Sequence, residues 1–215
     1  MRFTFSQEKQ IFIFGIFLLL AYLGGIIATY FVSIKDANHI LGMTATNFIF
    51  GRAAGISYGF SAGFDELVVI LINIVIEVIT VLLIYPLFVL SWKKSLEVKT
   101  LESFFSKVKD LKTRYSAFFS KYGKYGLFIF VWFPFWMTGP VVGAIIGFLI
   151  GLKHYHTMFI VLTGTSLAIV VWTHFLKELI SLLHQLSDYA PYILLGLFVF
   201  IAIVFKLIQS KSRPS

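Results

Sequence analysis

The chain has 215 residues, of which 59% are hydrophobic and only 13% are charged. This composition is too apolar for an ordinary soluble domain and indicates an integral membrane protein. The absence of cysteine excludes disulfides, thiolate metal sites and cysteine nucleophiles. The 18 Lys and Arg residues exceed the 10 Asp and Glu residues, and in a membrane protein this excess reports orientation rather than nucleic-acid binding.

Four largely apolar runs are each about long enough to cross a bilayer core of ~30 Å. They predict transmembrane helices at residues 11–34, 66–92, 157–173 and 190–205. The first run lacks a small-residue cleavage site and is long for a signal peptide, so we expect it to be retained. Residues 35–39 are predicted to be a short polar connection after it.

Glycine recurs at every fourth position in two stretches that lie 88 residues apart. Positions four apart share nearly one face of a helix, so bare positions there form a groove that another backbone can approach closely. One interpretation is two ordinary close-packed helices. The other is a duplicated, broken, re-entrant membrane segment, which two prolines near the start of the second stretch favour. The two glycine ladders are Gly51, Gly55, Gly59 and Gly63, and Gly139, Gly143, Gly147 and Gly151.

The distribution of basic residues predicts how often the chain crosses the membrane. Arg52 is left out of the count because it is predicted to lie within the membrane. If both ladders cross the membrane fully, at best eleven basic residues lie on one side and six on the other. If each ladder enters and leaves on one side, fifteen lie on one side and only Lys35 and Lys177 on the other. Because Lys and Arg concentrate on the cytoplasmic side, we predict four crossings with cytoplasmic termini. The two re-entrant segments then have opposite orientations and form an inverted repeat.

We therefore predict one all-α integral domain of the cell membrane over residues 1–215. Its two repeat units cover about residues 40–92 and 127–175, and its last span covers about 190–209. Between the units, residues 96–122 carry apolar side chains at helical spacing with lysines between them. This pattern predicts a basic amphipathic helix at the cytoplasmic headgroups, with a solvated or protein-packed helix as the alternative.

Three polar side chains are predicted at membrane depth: Arg52, Asn73 and Glu77. An ionisable residue at the bilayer centre costs about 2.5–3.5 kcal/mol on insertion scales, so its presence needs a reason. Asn73 and Glu77 are four residues apart and share a helix face. A structural interpretation is an Arg–Glu pair that holds the first ladder in place. The functional interpretation is an anionic headgroup bound at Arg52, with Glu77 as a protonatable carboxylate.

The second ladder is predicted to begin with a re-entrant turn near residues 134–139, which includes Pro134, Thr138 and Gly139. Pro140 suits the first turn of a helix. Backbone N–H groups at such a helix start can hold an anion, so we include these residues in the candidate substrate site. A simple kinked transmembrane helix is the competing interpretation.

Nothing in the sequence predicts a metal, a cofactor or an enzyme. His154 and His156 do not share a helix face and have no evident third ligand, so we expect interfacial histidines. There is no Walker loop, GxSxG elbow or zinc-protease signature. An intramembrane enzyme would rest only on Glu77 and the histidines.

Two motifs, GRAAG at 51–55 and KYGKYGL at 121–127, resemble the small multidrug export protein family. They are more distantly similar to the DedA (VTT-domain) membrane proteins. The resemblance covers about residues 50–92 and 121–175. It implies two opposed re-entrant units. For DedA relatives it also implies transport or scrambling of phospholipids or polyprenyl-phosphate carriers, with membrane arginines and carboxylates important.

The chain departs from this pattern in two places. Phe50-Gly51 stands where a Glu is expected before the arginine, which leaves Glu77 as the candidate for proton coupling. The turn at 134–139 reads PFWMTG, where the family has Pro-x-Pro-Gly-Thr-Gly.

The function that we predict is a transporter or flippase for an amphipathic, anionic lipid-like or small drug-like substrate. Its expected partners are membrane lipid, that substrate and protons, with a second copy of the chain as a candidate for oligomerisation. The alternative is a non-transporting membrane scaffold that binds lipid or a protein partner.

Overall fold

A computed structural model of the chain describes residues 7–92, 123–132 and 139–184, with short stretches between 189 and 204. All regular secondary structure within these residues is helical, which confirms the predicted all-α class. The basic segment 96–122 lies outside the described residues. In chain order, the helices are α1 Gln7–Val32, α2 Ile34–Phe50, α3 Arg52–Ser61, α4 Glu66–Trp92, α5 123–132, α6 Gly139–Leu149 and α7 His154–His184.

Three helices of the described part are long and apolar enough to cross a membrane. They are α1, α4 and the stretch His154–Leu182 of α7. Large apolar side chains on α1 are exposed, among them Phe31 at 84%, as a lipid-facing surface requires. These spans confirm the predicted multi-pass membrane protein. The predicted fourth span, 190–209, lies largely outside the described residues and stays a prediction.

The boundary between α1 and α2 corrects one prediction. Residues 35–39 are not a loop, because they form the first turns of α2. The two helices are separated only by Ser33, which has φ −150° and ψ 104°. Its Oγ accepts a hydrogen bond of 3.2 Å from the N–H of Asp36. Polar residues that looked like a connection therefore cap and begin a helix.

The chain divides into two compact units. The first unit contains the described residues within Met1–Gly25, Glu77–Phe133 and Thr138–Ala168, and the second those within Ile26–Ile76 and Ile169–Ser215. The core of the first unit includes Ile11, Val81, Tyr85, Leu127, Val131, Ile145 and Val161. The core of the second unit is formed by Met43, Ile56, Val69 and Leu176.

In the second unit, α2 and α3 form an antiparallel hairpin. Gly51 joins them with φ 91° and ψ 174°, a conformation that favours glycine. A Cβ atom on Gly55 would lie 2.7 Å from Cβ of Asn47, and one on Gly59 would lie 2.7 Å from Sδ of Met43. Gly59 is further from Gly51 than Gly55 is, and its neighbour Met43 is likewise further from Gly51 than Asn47 is. The two helices therefore run in opposite directions.

The first unit repeats this arrangement with α5 and α6. A Cβ atom on Gly143 would lie 2.5 Å from Cγ1 of Val131, and one on Gly147 would lie 3.1 Å from Cδ2 of Leu127. These pairings again run in opposite directions along the two helices. At 1.5 Å per residue, the 10 residues of α3 extend about 15 Å and the 11 residues of α6 about 17 Å. Each is roughly half the thickness of a bilayer core.

The glycine ladders are therefore not four-residue grooves on single helices. Gly51 is the bend of a hairpin, and Gly63 and Gly151 follow the ends of α3 and α6 with φ of 84° and 85°. The inner glycines of each ladder pack against neighbouring helices. Spacing by four indicated a helical face, whereas Gly51, Gly63 and Gly151 have positive φ, a backbone conformation that favours glycine.

Candidate functional site

The candidate site lies where α2 and α3 meet, in the second unit. The N–H of Gly51 donates to the carbonyl of Asn47 at 2.8 Å, and the carbonyl of Gly51 accepts from the N–H of Gly55 at 3.1 Å. Gly51 thus ends one helix and begins the next without an intervening loop. As a result, Arg52 becomes the first residue of α3, where its side chain is only 2% exposed.

A pair of buried amides lies within about one turn of this bend. Nδ2 of Asn47 donates to Oδ1 of Asn73 at 2.6 Å, and Nδ2 of Asn73 donates to the carbonyl of Val69 at 2.7 Å. Both side chains are buried, so each bond satisfies a polar group that would be costly to bury alone. The pair joins α2 to α4 about one turn before the bend.

Gly55 makes room for the two amides. A Cβ atom at this position would lie 2.7 Å from Cβ of Asn47 and 2.9 Å from Oδ1 of Asn73. Even alanine would therefore have to displace one of them. The inner part of the first ladder brings α2, α3 and α4 together around a polar pair.

The electrostatics of the bend favour an anion. A helix N-terminus carries a partial positive charge, and the start of α3 at Gly51 has no side-chain cap among the described residues. The buried guanidinium of Arg52 adds a full positive charge at the same point. One turn further on, the buried Oγ of Ser57 has no hydrogen-bond partner among the described residues. We refer to Asn47, Arg52 and Asn73 as the bend site.

The structure joins only some of the residues that the sequence singled out. Arg52 and Asn73 belong to the second unit, whereas Glu77 is half-buried on α4 in the first unit. The described hydrogen bonds of Asn73 go to Asn47, Val69 and Met43.

The second half of the predicted site is described only in part. Gly139 and Pro140 are buried at the start of α6, as expected for the first turn of a helix. Pro134 and Thr138 lie outside the described residues.

Sequence reasoning missed a second polar group, in the first unit. Nε2 of His154 lies 3.1 Å from Oε1 of Glu8, and its Nδ1 lies 2.7 Å from the hydroxyl of Tyr85. His156, in contrast, is exposed. Glu8 and His154 are 146 residues apart in the chain, and no local pattern signals that two helix starts meet.

A third charged cluster lies at the start of α4. Oε2 of Glu66 lies 2.7 Å from Nζ of Lys177, and Oε1 lies 3.2 Å from Nδ1 of His174. The cations of this cluster are exposed, so the ion pairs contribute little stability. Among the described residues, no group of three His, Asp or Glu side chains is placed to hold a metal ion.

Comparison with known proteins bears on the same part of the chain. The model of the family described as "Putative small multi-drug export protein" matches residues 52–171, which is more than half of the chain. No curated protein and no solved structure matches the chain. The match begins at Arg52 and includes α3, α4, α6 and the first part of α7. The chain therefore belongs to this small multidrug export protein family.

Proposed function

We propose that the chain is a membrane transporter that moves an amphipathic substrate with an anionic group, either lipid-like or drug-like. The observation that carries the proposal is the buried Arg52 at the bend between two helices, about one turn along the chain from the buried Asn47. A buried charge is costly in a membrane protein and marks a functional site by default. The description of the family as export proteins agrees with this assignment.

Two re-entrant units form the framework of this transporter. Each hairpin pairs two helices that run in opposite directions, and α3 and α6 are too short to cross a bilayer alone. Broken helices that end at membrane depth are the usual place of substrate sites in secondary transporters. Together with the charge distribution of the sequence, this geometry supports four crossings and an inverted repeat.

The bend site can take the anionic group of the substrate. Arg52 and the N-terminus of α3 supply positive charge. Apolar residues cover most of the surrounding helices, which suits the apolar part of an amphipathic molecule. The sequence suggested Glu77 as a coupling carboxylate, and the bend site itself does not include it.

The scaffold alternative rests on the glycine grooves and on the basic segment 96–122, which lies outside the described residues. Its first part needs glycine grooves that are open to an outside partner. Gly55 and Gly59 instead approach α2 and α4 of their own unit, and Gly143 and Gly147 approach α5 and α7 of theirs. Side chains from helices of the same unit therefore fill these grooves.

Flux measurements in reconstituted vesicles test the proposal. The probes are a fluorescent anionic phospholipid, followed across the leaflets, and an anionic amphipathic dye, followed across the membrane. We expect Arg52→Gln to lower the flux at least about tenfold, since a hydrogen bond to a charged group is worth ~1.5–3 kcal/mol. Lys35→Gln, which removes an exposed charge from the same hairpin, is the matched control and should transport normally. Wild-type protein that moves neither probe would leave the scaffold as the better account.

A further inference from the structure

Three ionisable side chains of the first unit, Glu8, His154 and Tyr85, form one continuous chain of hydrogen bonds. The carboxylate of Glu8 contacts Nε2 of His154 at 3.1 Å, and the Tyr85 hydroxyl contacts Nδ1 at 2.7 Å. The side chain of Thr157 lies within hydrogen-bonding reach of the Tyr85 hydroxyl. The Thr157 hydroxyl in turn donates to the carbonyl of Lys153 at 3.2 Å. Both ring nitrogens of the histidine are therefore used.

The chain of bonds links ends of three spans. Glu8 is the second residue of α1, His154 is the first of α7, and Tyr85 lies two turns before the end of α4. Tyr85 is fully buried and the Glu8 side chain is 5% exposed, whereas the His154 side chain is 17% exposed. Histidine is thus the member of the group that solvent can reach.

We propose that Glu8, His154 and Tyr85 form a proton-binding site, in which His154 takes up and releases one proton and that proton drives export. The use of the proton rests on the proposed transport function, whereas its binding does not. The site includes neither Arg52 nor Glu77, the residue that the sequence had suggested for coupling.

The geometry defines both protonation states. In the neutral ring, Nε2–H donates to the Glu8 carboxylate, and Nδ1 accepts the Tyr85 hydroxyl hydrogen. When a proton binds at Nδ1, this nitrogen donates to the Tyr85 oxygen instead. The Tyr85 hydrogen then turns to the oxygen of Thr157, whose own hydrogen points to the Lys153 carbonyl. The added positive charge faces the Glu8 carboxylate, so the pair becomes neutral and no bond is lost.

The described groups around the ring agree with this role. From α1 the facing group is Glu8, from α4 it is Tyr85, and from α6 the ring of Phe148 stacks on the imidazole at 5.9 Å between centroids. Lys153 and His156 flank His154 in sequence and are exposed. Stacking and two hydrogen bonds fix the ring orientation.

The substitution His154→Gln distinguishes a proton-binding site from a group that only holds the three helices together. Glutamine at position 154 can donate to Glu8 and accept from Tyr85, as the neutral histidine does, but it cannot take up a proton. His154→Gln therefore preserves a clamp and removes a proton site. Tyr155→Phe is the matched control, because it removes the exposed hydrogen bond between Tyr155 and Gln10 one position along the same helix.

Proton binding is measured on the purified full-length protein by NMR of nitrogen-15-labelled histidine. The His154 signal is the one that His154→Gln removes. We expect it to titrate within about pH 5 to 8, and its midpoint to change by about one pH unit or more in Glu8→Gln. Tyr155→Phe should leave the midpoint in place. A His154 signal that does not titrate, or a midpoint that Glu8→Gln leaves unchanged, overturns the proposal.

The use of the proton is measured as the ratio of flux with a pH gradient to flux without one. We expect this ratio to fall to about one in His154→Gln and in Glu8→Gln, and to keep its wild-type value in Tyr155→Phe. A full gradient response in His154→Gln, with normal thermal stability, overturns the coupling. Wild-type protein without any flux would defeat the proposed transport function, while the NMR titration would still decide whether the site binds a proton.

Discussion

Gly63 and Gly151 lie 88 residues apart and adopt the same backbone conformation, with φ of 84° and 85°. Each follows a short helix and closes the same two hydrogen bonds. The N–H of Gly63 donates to Phe60 and that of Phe64 to Gly59, while the N–H of Gly151 donates to Phe148 and that of Leu152 to Gly147, all at 3.0–3.1 Å. This pattern is the Schellman end of a helix. Its recurrence at equivalent positions supports a duplicated unit.

Alanine at either of these turn glycines should destabilise the protein. No atom lies within 4 Å of a Cβ built at Gly63 or Gly151, so the cost comes from the left-handed backbone alone. We expect about 1–2 kcal/mol for each change, measured as a loss of thermal or denaturant stability in detergent. Gly24→Ala is the control, since Gly24 is helical with open space around it, and it should be neutral or slightly stabilising. Equal effects at all three positions would contradict the turn assignment.

Alanine at Gly55 should destabilise the bend site for a different reason. The added Cβ would overlap Asn47 and approach Oδ1 of Asn73. Overpacking of this kind typically costs about 1–3 kcal/mol. The same unfolding measurement checks it, and a fully stable Gly55→Ala protein would show that the two helices can separate freely.

The two buried amides should be energetically coupled. Removing one partner leaves the other buried without its hydrogen bond, so Asn47→Ala and Asn73→Ala should each destabilise the protein. A double-mutant cycle should give a coupling of about 1 kcal/mol, as for side-chain hydrogen bonds in other membrane proteins. Asn38→Ala, at an exposed position of α2, should have almost no effect. Strictly additive losses at positions 47 and 73 would argue against the bond.

The apolar composition was sufficient to predict the membrane class, and continuous hydropathy gave α4 its bounds. Helix boundaries were harder to predict where a single residue ends one helix and begins the next. Ser33 caps a helix whose first residues are polar, and these polar residues led to the prediction of a loop. Gly51 bends the chain although no proline is next to it. The partners of Asn73 and His154 were not predictable, because their contacts depend on how helices distant in sequence pack together.

Topology has a direct test in single-cysteine labelling. The charge distribution predicts that cysteines at positions 107 and 209 are protected from a membrane-impermeant reagent in intact cells. A cysteine at position 38 should be labelled. The chain has no native cysteine to interfere. Labelling at position 107 with protection at position 38 would contradict the inverted repeat.

The separate variants of Arg52 and Glu77 distinguish a structural pair from a substrate site. If the two charges only stabilise each other, removing either one should cost about 3–5 kcal/mol, and removing both should restore much of that loss. If Arg52 holds the substrate anion, Arg52→Gln should remain folded and monodisperse but inactive. The positions 88 residues on from Arg52 and Glu77 are Pro140 and Thr165, so the second of the two predicted repeat units lacks this pair of charges. This favours the substrate site.

The most direct test is the flux of the double variant, Arg52→Gln with Glu77→Gln, in reconstituted vesicles beside wild type. We predict that the double variant is as stable as wild type or nearly so, and that it transports neither the anionic phospholipid nor the anionic dye. Full transport by the double variant would contradict the assignment of Arg52 to substrate binding and would leave the pair as a structural clamp.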